Sequence, residues 1–165
     1  MVACKVIDIK GFMAKLLLKE IFDEFLVIEA EISTDIRFSI DGHIQEEFFT
    51  IEEREELPKE RIALWKRLRP ICFELIKGKK TPKNMKIVFR MKQEMVRSLL
   101  QETGLPYREE DIEGLYLHIR YEKESLYCIT GVSMRIFTME KGLEHSWDKK
   151  VQEFLKTSEI FYEME

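Results

Sequence analysis

Seven glycines, four prolines and three cysteines are scattered through 165 residues, and the patterns they fail to form exclude several chemistries. There is no GxGxxG and no GxxxxGKS/T, so neither a dinucleotide-binding turn nor a phosphate loop is expected. Gly78-Lys79-Lys80-Thr81 has only the end of such a loop: the upstream glycine is missing, and a predicted helix, not a strand, leads into it. GxSxG, HExxH, EF-hand and zinc-deaminase patterns are also absent. Cys4, Cys72 and Cys128 are odd in number, far apart and free of CxxC or Cys/His clustering. That argues against a disulfide framework or a zinc site, and each is expected in a core as a small reduced hydrophobe. No metal and no cofactor is expected. No apolar run approaches the roughly 20 residues needed to cross a bilayer; Leu16–Leu18 and Phe25–Ile28 are short and flanked by charge. Met1-Val2-Ala3-Cys4-Lys5 lacks the basic, apolar and small-residue regions of a signal peptide. The expectation is a cytoplasmic protein with no membrane partner.

What is present is core material and charge. Hydrophobic residues make up 45% and charged residues 35%, a folded rather than a disordered composition. Eleven Phe, five Tyr and two Trp can fill one core, and the length suits one domain, 1–165. The net charge is −4 but uneven. Lys59–Arg97 holds thirteen bases and three acids, a balance of +10, and the remainder holds fourteen bases and twenty-eight acids, a balance of −14. Such asymmetry marks an anionic partner, or two parts of one fold that complement each other, or two solvated surfaces.

Periodicity places the elements. Val2–Ile7 reads as a strand, and Asp8 as the N-cap of a helix from Ile9 to Lys19. Phe25–Ile32 reads as a strand. Ile36–Ile40 alternates, and Asp41-Gly42 then predicts a type I′ turn into a return strand, His43–Thr50. Ile51–Glu56 reads as a helical turn. Pro58 predicts the start of a helix whose stripe is Ile62, Trp65, Leu68, Cys72, Leu75 and Ile76, with Pro70 kinking or splitting it. Met85–Met91 reads as a strand. Lys92–Thr103 follows as a helix that buries Met95, Val96, Leu99 and Leu100, with Gly104 as its C-cap. Leu115–Glu122 and Leu126–Thr138 form a predicted hairpin turning at Lys123-Glu124, and Ser146 or Asp148 begins the last helix. Ile160-Phe161-Tyr162 supplies apolar side chains that can dock. The fold class is therefore α+β, a mainly antiparallel sheet built from hairpins and packed by about four helices.

The hairpin register yields the candidate site. A turn at Lys123-Glu124 puts the pairs Arg120/Tyr127, His118/Ile129 and Tyr116/Gly131 on one face, and the same parity adds Ser133 and Arg135. Leu115, Leu117, Ile119, Cys128, Val132, Met134 and Ile136 fall on the other, apolar face. If Met85–Met91 joins the sheet, Lys86 and Arg90 join the polar face. Arg90, Tyr116, His118, Arg120, Tyr127 and Arg135 then offer cations for phosphates and aromatic planes for bases. A plain solvent-facing sheet, or one covered by helices, accounts for the same residues. His43 beside a turn is expected to be exposed. His145-Ser146-Trp147-Asp148 contains a base, a hydroxyl and a carboxylate, but the same letters make a helix start, and adjacency does not build a triad. The acidic pairs at 46–47, 52–53 and 55–56 and the run 109–111 are expected as solvated faces and helix ends.

Phe38-Ser39-Ile40-Asp41-Gly42-His43-Ile44-Gln45, Ile76–Pro82 and Cys128–Ser133, with Phe137–Glu144 through Trp147-Asp148, carry a resemblance over nearly the whole chain. In these segments the chain resembles an uncharacterised protein family of Clostridia-type Firmicutes. The resemblance implies a bacterial cytoplasmic domain of unknown function and transfers no catalytic residue. Three functional expectations remain. The leading one is a non-enzymatic binding module for an anionic partner, single-stranded nucleic acid in its specific form. The second is an enzyme acting on a small anionic metabolite, with His118 as acid or base and Arg90, Arg120 or Arg135 holding the anion. The third is a structural or oligomerisation protein that uses an apolar helix face.

Overall fold

Period-two burial explains the strands. Inward side chains are Cys4 and Val6 of β1 (Ala3–Val6), Met85, Ile87 and Phe89 of β4 (Asn84–Arg90), Leu117, Ile119 and Tyr121 of β5 (Ile112–Glu122), and Leu126, Cys128 and Thr130 of β6 (Ser125–Met134). With β2 (Leu26–Ser33), β3 (Arg37–Asp41) and β7 (Tyr162–Met164) they form a seven-stranded sheet in the order β3-β2-β4-β5-β6-β1-β7. Every neighbouring pair is antiparallel. The chain is α+β, as its sequence indicates. These positions come from a computed structural model that describes residues 1–165.

Four helices of ten or more residues, α1 (Ile9–Leu18), α3 (Trp65–Ile76), α4 (Gln93–Thr103) and α5 (Gly142–Thr157), accompany a short α2 (Ile51–Arg54). The inward strand residues share one connected core with Phe12 and Leu16 of α1, Trp65 and Leu68 of α3, Val96 and Leu99 of α4, and Trp147 and Val151 of α5. All four long helices therefore pack against one face of the sheet. Asp8 caps α1, accepting from the Gly11 amide at 3.0 Å, and Gly104 ends α4 in the left-handed conformation at φ 64°. At the centre, the Phe22 ring stacks on Phe89 at 5.6 Å and meets Phe12 and Phe154 edge-on at 5.6 and 5.3 Å. Next to Phe22, the buried Asp23 carboxylate accepts two N–H bonds from Arg69 at 2.8 and 3.0 Å, tying the loop before β2 to α3. No helix is long and apolar enough to cross a membrane. Cys4, Cys72 and Cys128 are buried free thiols, and desolvation pushes the Cys72 thiol up to about 12.

Several local expectations give way to long-range contacts. β3 pairs with β2, through a turn at Thr34–Ile36, and not with His43–Thr50. Asp41-Gly42 is no hairpin turn. A Cβ on Gly42 would lie 1.6 Å from the Val27 carbonyl oxygen, so the glycine permits a backbone crossing. Val27 N donates to Ala63 O and Ala63 N to Gly42 O, each at 2.8 Å, locking this crossing beside the β2 bulge at Val27–Glu29. The segment before α3 is consequently extended: Ile62 bridges His43 and Leu64 bridges Leu26, so the helix starts at Trp65 rather than near Pro58. Pro70 does not split it. In the second turn the proline forfeits one bond, to the carbonyl of exposed Lys66, and the helix continues to Ile76. The last helix begins at Gly142, ahead of Ser146. Asp148 is then an interior residue, accepting from the Thr130 hydroxyl at 2.5 Å, while His145 is exposed, so the two form no triad. Met95 and Ile136, expected in the core, are each 42% exposed.

Gly42→Ala places a methyl group against main chain that cannot move aside as a side chain can. It is expected to destabilise by more than about 2 kcal/mol in urea unfolding. A loss within about 0.5 kcal/mol would show that Gly42 serves no close crossing.

Candidate anion-binding face

With all long helices on one side, the outward residues of β2, β4, β5, β6 and β1 make an open polar face. Register fixes its rows. Lys86 stands opposite Arg120, Arg120 opposite Tyr127, and Tyr127 opposite Lys5. In the next row Val88, His118 and Ile129 are neighbours, and in the third Arg90, Tyr116 and Gly131. The turn at Lys123-Glu124, with both φ angles positive (50° and 62°), sets the expected pairing. Directly opposed side chains lie about 5 Å apart at Cβ, and like charges so placed repel. Lys86 and Arg120 form such a pair. Lys86 also meets Glu29 of β2 at 2.9 Å, and Arg120 reaches Glu122 only at 3.9 Å.

Five of the six expected residues, Arg90, Tyr116, His118, Arg120 and Tyr127, share this face. Arg135 does not. β6 ends at Met134, where β5 bulges between Ile112 and Gly114. Beyond the strand, the Arg135 guanidinium donates to the Glu110 carbonyl at 3.3 Å. The sequence reading did not include Lys5, which extends the cationic row, nor Glu29 and Glu31, which border it on β2. It also missed Gly114, which shapes the surface. A Cβ there would come within 2.8 Å of Arg90 Cδ and of the Tyr116 ring, so both side chains lie across Gly114. The alternation Ala3-Cys4-Lys5-Val6 was the available signal for Lys5, but its strand partner was not readable.

His118 is half-buried, its ring 6.4 Å from that of Tyr116. Burial depresses its pKa below the usual histidine value, and the charges of Lys86 and Arg120 push the same way, against a weaker opposing effect of Glu29. The imidazole thus registers a positive field on this face. No group of three or more His, Cys, Asp or Glu side chains is gathered as metal ligands.

The +10 segment does not form one patch. Six of its thirteen bases are ion-paired: Arg61 with Glu46, Arg69 with Asp23, Lys77 with Glu74, Lys86 with Glu29, Lys92 with Glu24 and Arg97 with Glu109. Five of the six partners lie outside the segment, so much of the asymmetry is complementarity across the fold. Lys79, Lys80 and Lys83 sit in a loop beside Thr34 and Asp35, apart from Arg90 on the sheet.

His118 should titrate below about 6.5 by NMR, and Arg120→Met or Lys86→Met should raise the midpoint. An unmoved midpoint in both variants would leave burial as the whole cause. Because the folded value is depressed, His118 contributes stability above the unfolded value of about 6.5, and that contribution is lost as pH falls through the folded value.

Residues 15–163 match the model of a family described as Family of unknown function (DUF5721). No curated protein and no solved structure matches the chain.

Proposed function

This chain belongs to that family of unknown function, and we propose that its open sheet face is a non-enzymatic binding surface for single-stranded nucleic acid. The observation that carries the reading is the opposed pair Lys86 and Arg120, continued across Tyr127 to Lys5. A bound phosphate between opposed cations relieves their repulsion and is held by both. Arg90 stands four residues along β4 from Lys86, about 13 Å away at strand rise, which gives a second phosphate position. Tyr116, His118 and Tyr127 lie between and beside these cations and supply planes on which bases stack. Lowered basicity at His118 supports the same reading, since a neutral ring stacks without adding repulsion to the cationic rows. Glu29 and Glu31 at one margin and Glu163 at the other confine the favourable track to β4, β5, β6 and β1. Three buried free thiols fit a reducing compartment, and we place this activity in a bacterial cytoplasm.

Fluorescence anisotropy of labelled single-stranded RNA and DNA tests the proposal. One phosphate charge contact for each of Lys5, Lys86, Arg90 and Arg120 gives a log–log salt slope of about −2.8, or roughly a fiftyfold loss between about 50 and 200 mM salt. Arg90→Ala and Arg120→Ala should each weaken binding and each reduce the slope by about 0.7. Absence of saturable binding at the lower salt, or affinities unchanged in both variants, rejects the surface.

A further inference from the structure

On the helical side of the sheet a second opening has a different chemistry. Where β2 begins and β4 ends, a cavity of about 180 Å³ opens between α4 and α5. Its wall includes Phe25, Met91, Met95, Trp147 and Phe154. Phe25 and Phe154 meet edge-on at 5.6 Å, and both rings belong to the aromatic cluster around Phe22. Met95 is the unexpected member. It lies on α4 beside the buried Val96 and Leu99, yet it is 42% exposed because nothing in the chain covers it. The space exceeds that of an apolar cavity of about 150 Å³ that takes up benzene. One ring fills it, with edge-to-face contacts to Phe25 and Phe154 and thioether contacts to the two methionines.

The same opening is lined by Lys92, Lys150 and Glu24. Long basic side chains lay their stems on apolar surface and keep the ammonium in water, so the cations belong at the rim. Glu24 pairs with Lys92, but its side chain is 75% exposed. Lys150 reaches only Glu102, at 3.8 Å. Exposed pairs of this kind are weak and exchangeable. The rim thus carries one net positive charge above an apolar, aromatic floor. We propose that this cavity binds a small aromatic monocarboxylate, its ring against Phe25, Phe154 and Met95 and its carboxylate between Lys92 and Lys150.

Phenylacetate is the probe, and the ¹³C-methyl resonances of Met91 and Met95 are the readout. Saturable shifts of both are expected at a dissociation constant of about 1 mM or below, a range open to a ligand of about ten non-hydrogen atoms. Phenylacetamide, neutral and of the same shape, should bind at least about fivefold more weakly, and Lys150→Met, which keeps the apolar stem, should cost phenylacetate about fivefold. Arg120→Ala should leave phenylacetate binding unchanged, which separates this site from the sheet face. Shifts that do not saturate by about 10 mM overturn the site. Equal binding of phenylacetate and phenylacetamide overturns the carboxylate assignment.

Discussion

One-sided burial governs this molecule. A seven-stranded antiparallel sheet has two faces, and all four long helices pack on one of them. An aromatic cluster holds three of them there, and α4 docks through Val96 and Leu99. Phe22, in the loop after α1, contacts Phe12 of α1, Phe89 of β4 and Phe154 of α5, while Trp65 of α3 meets Phe89 edge-on at 5.4 Å. One ring thus joins two helices and a central strand, and a second ring joins another helix to the same strand. Replacing such a buried phenylalanine by alanine costs about 3–5 kcal/mol in comparable cores. An antiparallel sheet tolerates a solvated second face, provided that its outward residues are polar.

The open face inherits its charges from that arrangement. Outward positions of β4, β5 and β1 carry Lys86, Arg90, Arg120 and Lys5, whereas those of β2 carry Glu29 and Glu31. Elsewhere in the chain, basic side chains find internal partners. Arg69 is neutralised by a buried carboxylate, and Arg61 is held both by Glu46 and by main-chain carbonyls of Arg54, Leu57 and Pro58. The Lys86–Arg120 pair is relieved only in part, and in the next row its charges add to burial, the larger cause, in depressing the basicity of His118.

Two glycines illustrate how the surface is shaped without motif signatures. Gly114 lets Arg90 and Tyr116 lie across the strand. It needs no positive φ, so it marks no turn. Gly42 belongs to the same class. Its absent side chain lets the strand end cross the Val27 carbonyl, which places Ile62 and Leu64 in extended bridges and delays α3 to Trp65.

Local chemistry was readable wherever it acted alone. Asp8 announced α1, Gly104 ended α4, and inward alternation with a turn at Lys123-Glu124 set the β5–β6 register that places Arg90, Tyr116, His118, Arg120 and Tyr127 together. Reading failed where distant backbone competed with local preference. Asp41-Gly42 has the composition of a hairpin turn, yet the Gly42 amide donates to the Ile28 carbonyl and the Gly42 carbonyl accepts from the Ala63 amide, which decides its conformation. Arg135 lies past Met134, where β6 ends, so its parity places it on no sheet face, and Met95 keeps its helical stripe although no side chain covers it. Sequence by itself determined the α+β class, the apolar strand faces and most of one polar face, because side-chain alternation and capping are properties of a few neighbouring residues. The order of strands, the addition of Lys5 to the cationic row, the pairing of most charged neighbours and the uncovered pocket beside Met95 were decided only by tertiary structure, because each depends on which distant segments share the limited space over one side of the sheet.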